Sequence, residues 1–90
     1  MKYAVIVTYN FDGTTPVYLF DDYNKATEYL HDLWQEGYNT ELAESFVGID
    51  EENTYHEEGY AKITWADGGY CEYIVTCVRE PITINGKDYR

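Results

Sequence analysis

The sequence predicts an α+β fold, an antiparallel four-stranded sheet built from two hairpins in the order ββαββ with one main helix packed on one face. Three observations predict it. Alternating β-branched, aromatic and small residues recur in four stretches, two before residue 21 and two after residue 59. Turn residues divide each pair, Asn10-Phe11-Asp12-Gly13 in the first and Ala66-Asp67-Gly68-Gly69 in the second. The segment between the two pairs repeats its apolar residues at helical spacing.

In chain order, Lys2 to Tyr9 reads as a strand in which Tyr3, Val5, Val7 and Tyr9 alternate with Ala4, Ile6 and Thr8. Gly13 can supply positive φ in the turn, and Thr15 to Phe20 returns as the second strand, with Pro16 suiting an edge or a strand start. Asp21 or Asp22 caps a helix expected from about Asp22 to Glu36. Its apolar face is Tyr23, Ala26, Leu30, Leu33 and Trp34, and Gly37 is placed to end it. A short second helix from Thr40 through Phe46 is the preferred reading of the next stretch over a short strand at Phe46 to Ile49, and Asp50 to Thr54 and His56 to Gly59 read as loop. Tyr60 to Trp65 and Tyr70 to Val78 form the second hairpin around an Asp-Gly turn of type I′. After Pro81, Ile82 to Ile84 with Asn85-Gly86 adds a short edge strand or a tail.

The expected core is Val5, Val7, Val17, Leu19, Ala26, Leu30, Leu33, Trp34, Ile63, Trp65, Val75 and Cys77. The other sheet face would hold Ile6, Tyr18, Phe20, Tyr60, Tyr70 and Ile74. Such a face is too apolar to be left to water, so the segment in the 40s, the C-terminal tail or a second subunit is expected to cover it.

Ninety residues make one domain, residues 1–90, which buries only about 60–65% of its unfolded surface. With 44% hydrophobic and 18% aromatic residues, eleven of them Tyr, the chain is too apolar for a disordered acidic tail despite a net charge of −11. No apolar run approaches the roughly 20 residues that span a bilayer, and no membrane role and a cytoplasmic location are expected. Cys71 and Cys77, about 20 Å apart if they share a straight strand, read as reduced buried thiols.

Chemical motifs are sparse. Cys71 or Cys77 with His31 or His56 has the residue types of a nucleophile and base, but without a local signature and with the cysteines at core positions of a strand. His56-Glu57-Glu58, Asp50-Glu51-Glu52 and Asp21-Asp22 offer metal-ligand types without EF-hand, His-x-x-x-His or Cys-x-x-Cys spacing, so no metal and no cofactor is expected. Six scattered basic residues exclude phosphate-tracking contact with nucleic acid.

The charge distribution is the informative feature. Residues 21–58 contain twelve of the seventeen acids and one of the six basic residues, Lys25, so their charge is 1 − 12 = −11 and the remainder cancels. Solubility does not require this segregation, and self-repulsion within it costs stability. If these carboxylates share one face of about 25–30 Å, their density approaches the one charge per about 1.7 Å of duplex DNA. The acids that would form a partner surface are Asp21, Asp22, Glu28, Asp32, Glu36, Glu41, Glu44, Asp50, Glu51, Glu52, Glu57 and Glu58. Tyr23, Tyr29, Tyr38 and Tyr55 lie among them and suit an interface.

The segment Pro16-Val17-Tyr18-Leu19-Phe20-Asp21 running into a helix, and Gly59-Tyr60-Ala61-Lys62-Ile63-Thr64 later, resembles small acidic proteins carried by prophages and mobile elements of low-GC Gram-positive bacteria. Some proteins of that kind are anti-CRISPR inhibitors that occupy DNA-binding surfaces of a Cas nuclease. The resemblance therefore implies a non-enzymatic inhibitor acting by DNA mimicry on a basic protein surface in a bacterial cytoplasm. The alternative reading is a self-associating structural or regulatory module that forms a homodimer through the second sheet face.

Overall fold

The computed structural model describes residues 2–11 and 15–90. The first hairpin is β1 (Lys2–Tyr9) with β2 (Val17–Phe20), and Asp12 and Gly13 of its expected turn lie outside the described residues. Helix α1 (Tyr23–Glu44) follows, then a 3₁₀ turn at Glu51–Asn53, β3 (Tyr55–Glu57), β4 (Tyr60–Thr64) and β5 (Tyr70–Val78). A separate small hairpin, β6 (Thr83–Ile84) with β7 (Lys87–Asp88), ends the chain. The main sheet is antiparallel in the order β2-β1-β5-β4-β3.

The fold is thus α+β with one helix, and the expected four-stranded sheet becomes a five-stranded one. The added strand is β3, in a stretch read as loop because His56 and Glu57 are polar. Its pairing with β4, Tyr55↔Lys62 through Glu57↔Tyr60, uses backbone groups that do not depend on apolar side chains. The two hairpins are joined by β1 and β5, paired from Lys2↔Val78 to Tyr9↔Cys71. These two central strands supply Val5, Val7, Cys71 and Tyr73 to the core, which Ala61 and Ile63 of β4 and Ala26 and Leu30 of α1 complete.

Helix α1 begins where expected: the Asp22 side chain accepts hydrogen bonds from the amides of Asn24 and Lys25 at 2.7 and 3.3 Å. It does not stop at Gly37. One helix of 22 residues replaces the expected pair, and Gly37 serves helix–sheet contact instead of a C-cap. A Cβ at Gly37 would stand 2.8 Å from the Tyr73 hydroxyl and 3.5 Å from Ile63 Cδ1. The residue is small because the helix crosses the sheet closely there. Ser45 closes the helix with its amide on the Glu41 carbonyl, and Ile49 then forms an isolated bridge to Trp65.

Three further expectations are corrected by register and coverage. In β2 the phase is reversed: Val5 pairs with Tyr18 and Tyr3 with Phe20, so Tyr18 and Phe20 face the helix while Val17 and Leu19 are 55% and 61% exposed. Both aromatic rings instead pack on Tyr29, each with centroids 5.1 Å away. Cys77 shares the face of Val5 but lies at the end of the sheet and is exposed. The Asp67-Gly68 turn is not type I′, since Gly68 alone of that pair has positive φ. Trp65 donates its amide to Gly69 across a three-residue loop.

Replacing Gly37 by Ala gains about 0.5–1 kcal/mol of helix propensity but forces the methyl against Tyr73, an overpacking cost of about 1–3 kcal/mol. Chemical denaturation is expected to show a net loss for Gly37→Ala in the native background. In a Tyr73→Phe background the same change should be neutral or stabilising, and an equal loss in both would contradict the contact.

Candidate functional site

The twelve acids of residues 21–58 are distributed over several surfaces. On α1, Glu28, Asp32 and Glu36 recur every fourth residue on the exposed side, about 6 Å apart along the axis. Lys25 is the only basic residue in that helix. At its start Asp22 is occupied as the cap, and Asp21 forms an ion pair with Lys2 at 3.0 Å. At its end Glu41 is half-buried, its Oε2 accepting the Trp65 indole N–H at 2.8 Å, while Glu44 remains exposed. Two acids in the last turn with no basic residue oppose the helix dipole.

The remaining acids lie beside β3 and β4. The Tyr38 hydroxyl contacts both carboxylate oxygens of Glu51, at 2.7 and 2.8 Å, which pushes the phenol's pKa upward. Asp50 accepts from the Asn53 side chain at 2.8 Å, and Glu52 is exposed in the 3₁₀ turn. Because His56 turns toward the helix, alternation places its neighbour Glu57 on the opposite sheet face, and Glu58 follows in the turn before Gly59. The structure therefore brings Glu28, Asp32 and Glu36 into one row and does not bring all twelve into one strip. Among the described residues, Asp21 alone of the twelve has an ion-pair partner.

Two arrangements were invisible in the sequence. The first is a pair of imidazoles 25 positions apart, His31 Nδ1 and His56 Nε2 at 2.8 Å, with the Trp34 ring 5.3 Å from His56. Burial, and secondarily the charge of His31, lowers the His56 pKa. The second is a groove of about 560 Å³ between the end of α1 and the β4–β5 turn, with Phe11, Val47 and Trp65 as apolar walls and Glu41 and Asp67 as acids. No periodic pattern marks either, because each is assembled from separate elements.

The nucleophile-and-base pairing considered for the cysteines is not assembled, since the two imidazoles face each other and Cys71 is buried among Tyr9 and Tyr73. Burial pushes the Cys71 thiol up to about 11 and holds it protonated near neutrality. Among the described residues no group of three or more His, Cys, Asp or Glu is arranged to hold a metal ion. Among the described residues no helix is long and apolar enough to cross a membrane.

An aromatic disulfide reagent at neutral pH should titrate one thiol of the native protein quickly and the second only on unfolding. Cys77→Ser should remove the fast phase, and a fast phase that persists would place Cys71 in reach of solvent. A second expectation concerns acid. The unfolded chain protonates His56 at its ordinary value of about 6.5, whereas the folded chain does so lower, so the stability contributed by the neutral ring is present above that value and is lost as pH falls through the depressed one. The melting temperature should drop as pH falls below about 6.5, and His56→Gln should flatten that slope. An identical slope in the variant would remove the histidine pair from the account.

Compared with known proteins, the chain matches no family model, no curated protein and no solved structure.

Proposed function

We propose that this protein is a non-enzymatic inhibitor that binds the basic, nucleic-acid-binding surface of another protein through the carboxylates of α1. The observation that carries the reading is the row Glu28, Asp32 and Glu36, exposed on a rigid helix and free of ion pairs among the described residues. At about 6 Å spacing the row lies within one Debye length of about 10 Å at 0.1 M salt, so the three charges act on a partner as one field. It is sparser than the one charge per about 1.7 Å of a duplex, so the mimicry lies in a local row of anions that a basic groove engages. Charge of this kind acts chiefly on association rate and salt dependence. The resemblance to small acidic proteins of prophages supports a counter-defence role of the anti-CRISPR type, with a Cas nuclease as the candidate partner and the bacterial cytoplasm as the place.

The immobilised chain, challenged with bacterial lysate, is expected to retain a DNA-binding protein that both a salt gradient and added duplex DNA release. Changing Glu28, Asp32 and Glu36 together to Lys should abolish retention while leaving the helix signal in circular dichroism intact. Retention unchanged by that triple reversal would rule the mechanism out.

A further inference from the structure

Residues 79–90 form an arm that stands off the described body of the chain. Every one of them is exposed, and β6 and β7 pack chiefly on each other. The arm is nonetheless built to hold a shape: Asn85 and Gly86 have φ of 52° and 79°, the pair of positive angles of a type I′ turn. Ile84 pairs with Lys87 and Thr83 with Asp88, so alternation sets Ile82, Ile84, Lys87 and Tyr89 on one face. On that face Lys87 Nζ sits 5.2 Å from the Tyr89 ring centre. An isolated two-stranded hairpin is at best marginally stable in water, so an apolar face on such a hairpin calls for a surface to lie against.

The body of the molecule has such a surface. Helix α1 covers one side of the sheet, and on the other Val17, Ile6, Ile74 and Tyr60 stand side by side across four strands, with Leu19 beside Val17. The segment in the 40s bridges to Trp65 at the end of β4, and among the described residues Ile6, Ile74 and Tyr60 are partly buried while Val17 and Leu19 stay more than half exposed. The charged residues of the strands on this face nearly balance: Lys62 is directly opposite Glu72, and Lys2, already paired with Asp21, leaves Glu57 as the one uncompensated acid. In a chain of net charge −11 this is a weakly charged approach.

We infer that the bare sheet face and the arm are the two halves of an interface with a second copy of this chain. Two sheets pack through these faces about a two-fold axis, and each arm clasps its partner's sheet. Charge selects the occupant. The arm holds Arg79, Lys87 and Arg90 against Glu80 and Asp88, a charge of 3 − 2 = +1, whereas residues 1–78 carry 3 − 15 = −12. The arm is therefore the part of the chain that another acidic copy does not repel. Face-to-face packing also points both acidic helices outward, where they do not repel across the contact. Area agrees with this. The chain exposes 6274 Å², against about 5400 Å² for a compact monomer of its mass. The excess is close to the roughly 800 Å² that each partner buries in a standard interface. The radius of gyration, 15.7 Å against about 12 Å for a compact chain of this length, traces the same excess.

Sedimentation equilibrium of the full chain across the micromolar range tests the inference. The expected result is twice the chain mass, with Leu19→Lys and Ile84→Asp each weakening dimerisation about tenfold or more. Both positions are exposed in the single chain, so circular dichroism of the variants should match the parent. A parent that stays monomeric would overturn the inference and leave the face and arm to a different protein. So would a dimer indifferent to Ile84→Asp, which means that the arm's apolar face takes no part, or mass growing without limit with concentration, which means head-to-tail arm exchange. Reversal of Glu28, Asp32 and Glu36 should leave the mass unchanged, which separates this inference from the reading of the acidic helix.

Discussion

The close passage of α1 over the sheet at Gly37 and Tyr73 is the contact on which the rest of this molecule depends. A glycine in mid-helix sacrifices propensity, and the return is a helix near enough to the sheet for both tryptophans to be tied across the gap. Trp34 donates its indole N–H to the Lys62 carbonyl at 3.1 Å and Trp65 donates to Glu41 at 2.8 Å, one bond on each side of Gly37 along the helix. Leu30 and Ala26 continue the same line and are fully buried. Move the helix outward by the width of a methyl group and these contacts loosen together.

A single helix covers a single face. With 90 residues and one helix, the opposite face of five strands is covered by the described chain chiefly at Thr64, where the Asp50–Thr54 segment bonds to it, while Val17 and Leu19 stay exposed, and that follows from size as much as from sequence. The side chains found there, Val17, Ile6, Ile74 and Leu19, are of the kind that ordinarily faces a second layer. The molecule is accordingly polarised: an acidic helix on one side, a weakly charged apolar sheet on the other, and a cationic apolar arm at one end. Two copies joined through the sheet would present two acidic helices on opposite outer surfaces, so the two proposals are compatible and use different residues.

Much of the fold was legible. The strands β1, β4 and β5, the cap at Asp22, the start of α1 and the core positions Val5, Val7, Ala26, Leu30, Leu33, Trp34, Ile63, Trp65 and Val75 follow from periodicity and turn residues. Less of the site was legible. The row Glu28, Asp32 and Glu36 is a helix-period pattern and can be read from the chain, whereas the histidine pair and the Phe11–Trp65 groove join elements distant in sequence.

What the sequence determined by itself was local: which stretches alternate, where a carboxylate can cap, how charge divides between the middle and the ends. Tertiary structure decided everything that depends on a partner element. The face shown by Val17 or by Tyr18 rests on the register against β1, and a one-residue slip exchanges them without changing the β2 pattern. Whether Gly37 ends a helix or lets one pass depends on Tyr73 lying beneath it, and whether twelve carboxylates make one surface or several depends on where their elements dock. These are distances between segments far apart along the chain, set by packing, and no period of 2 or 3.6 residues encodes them.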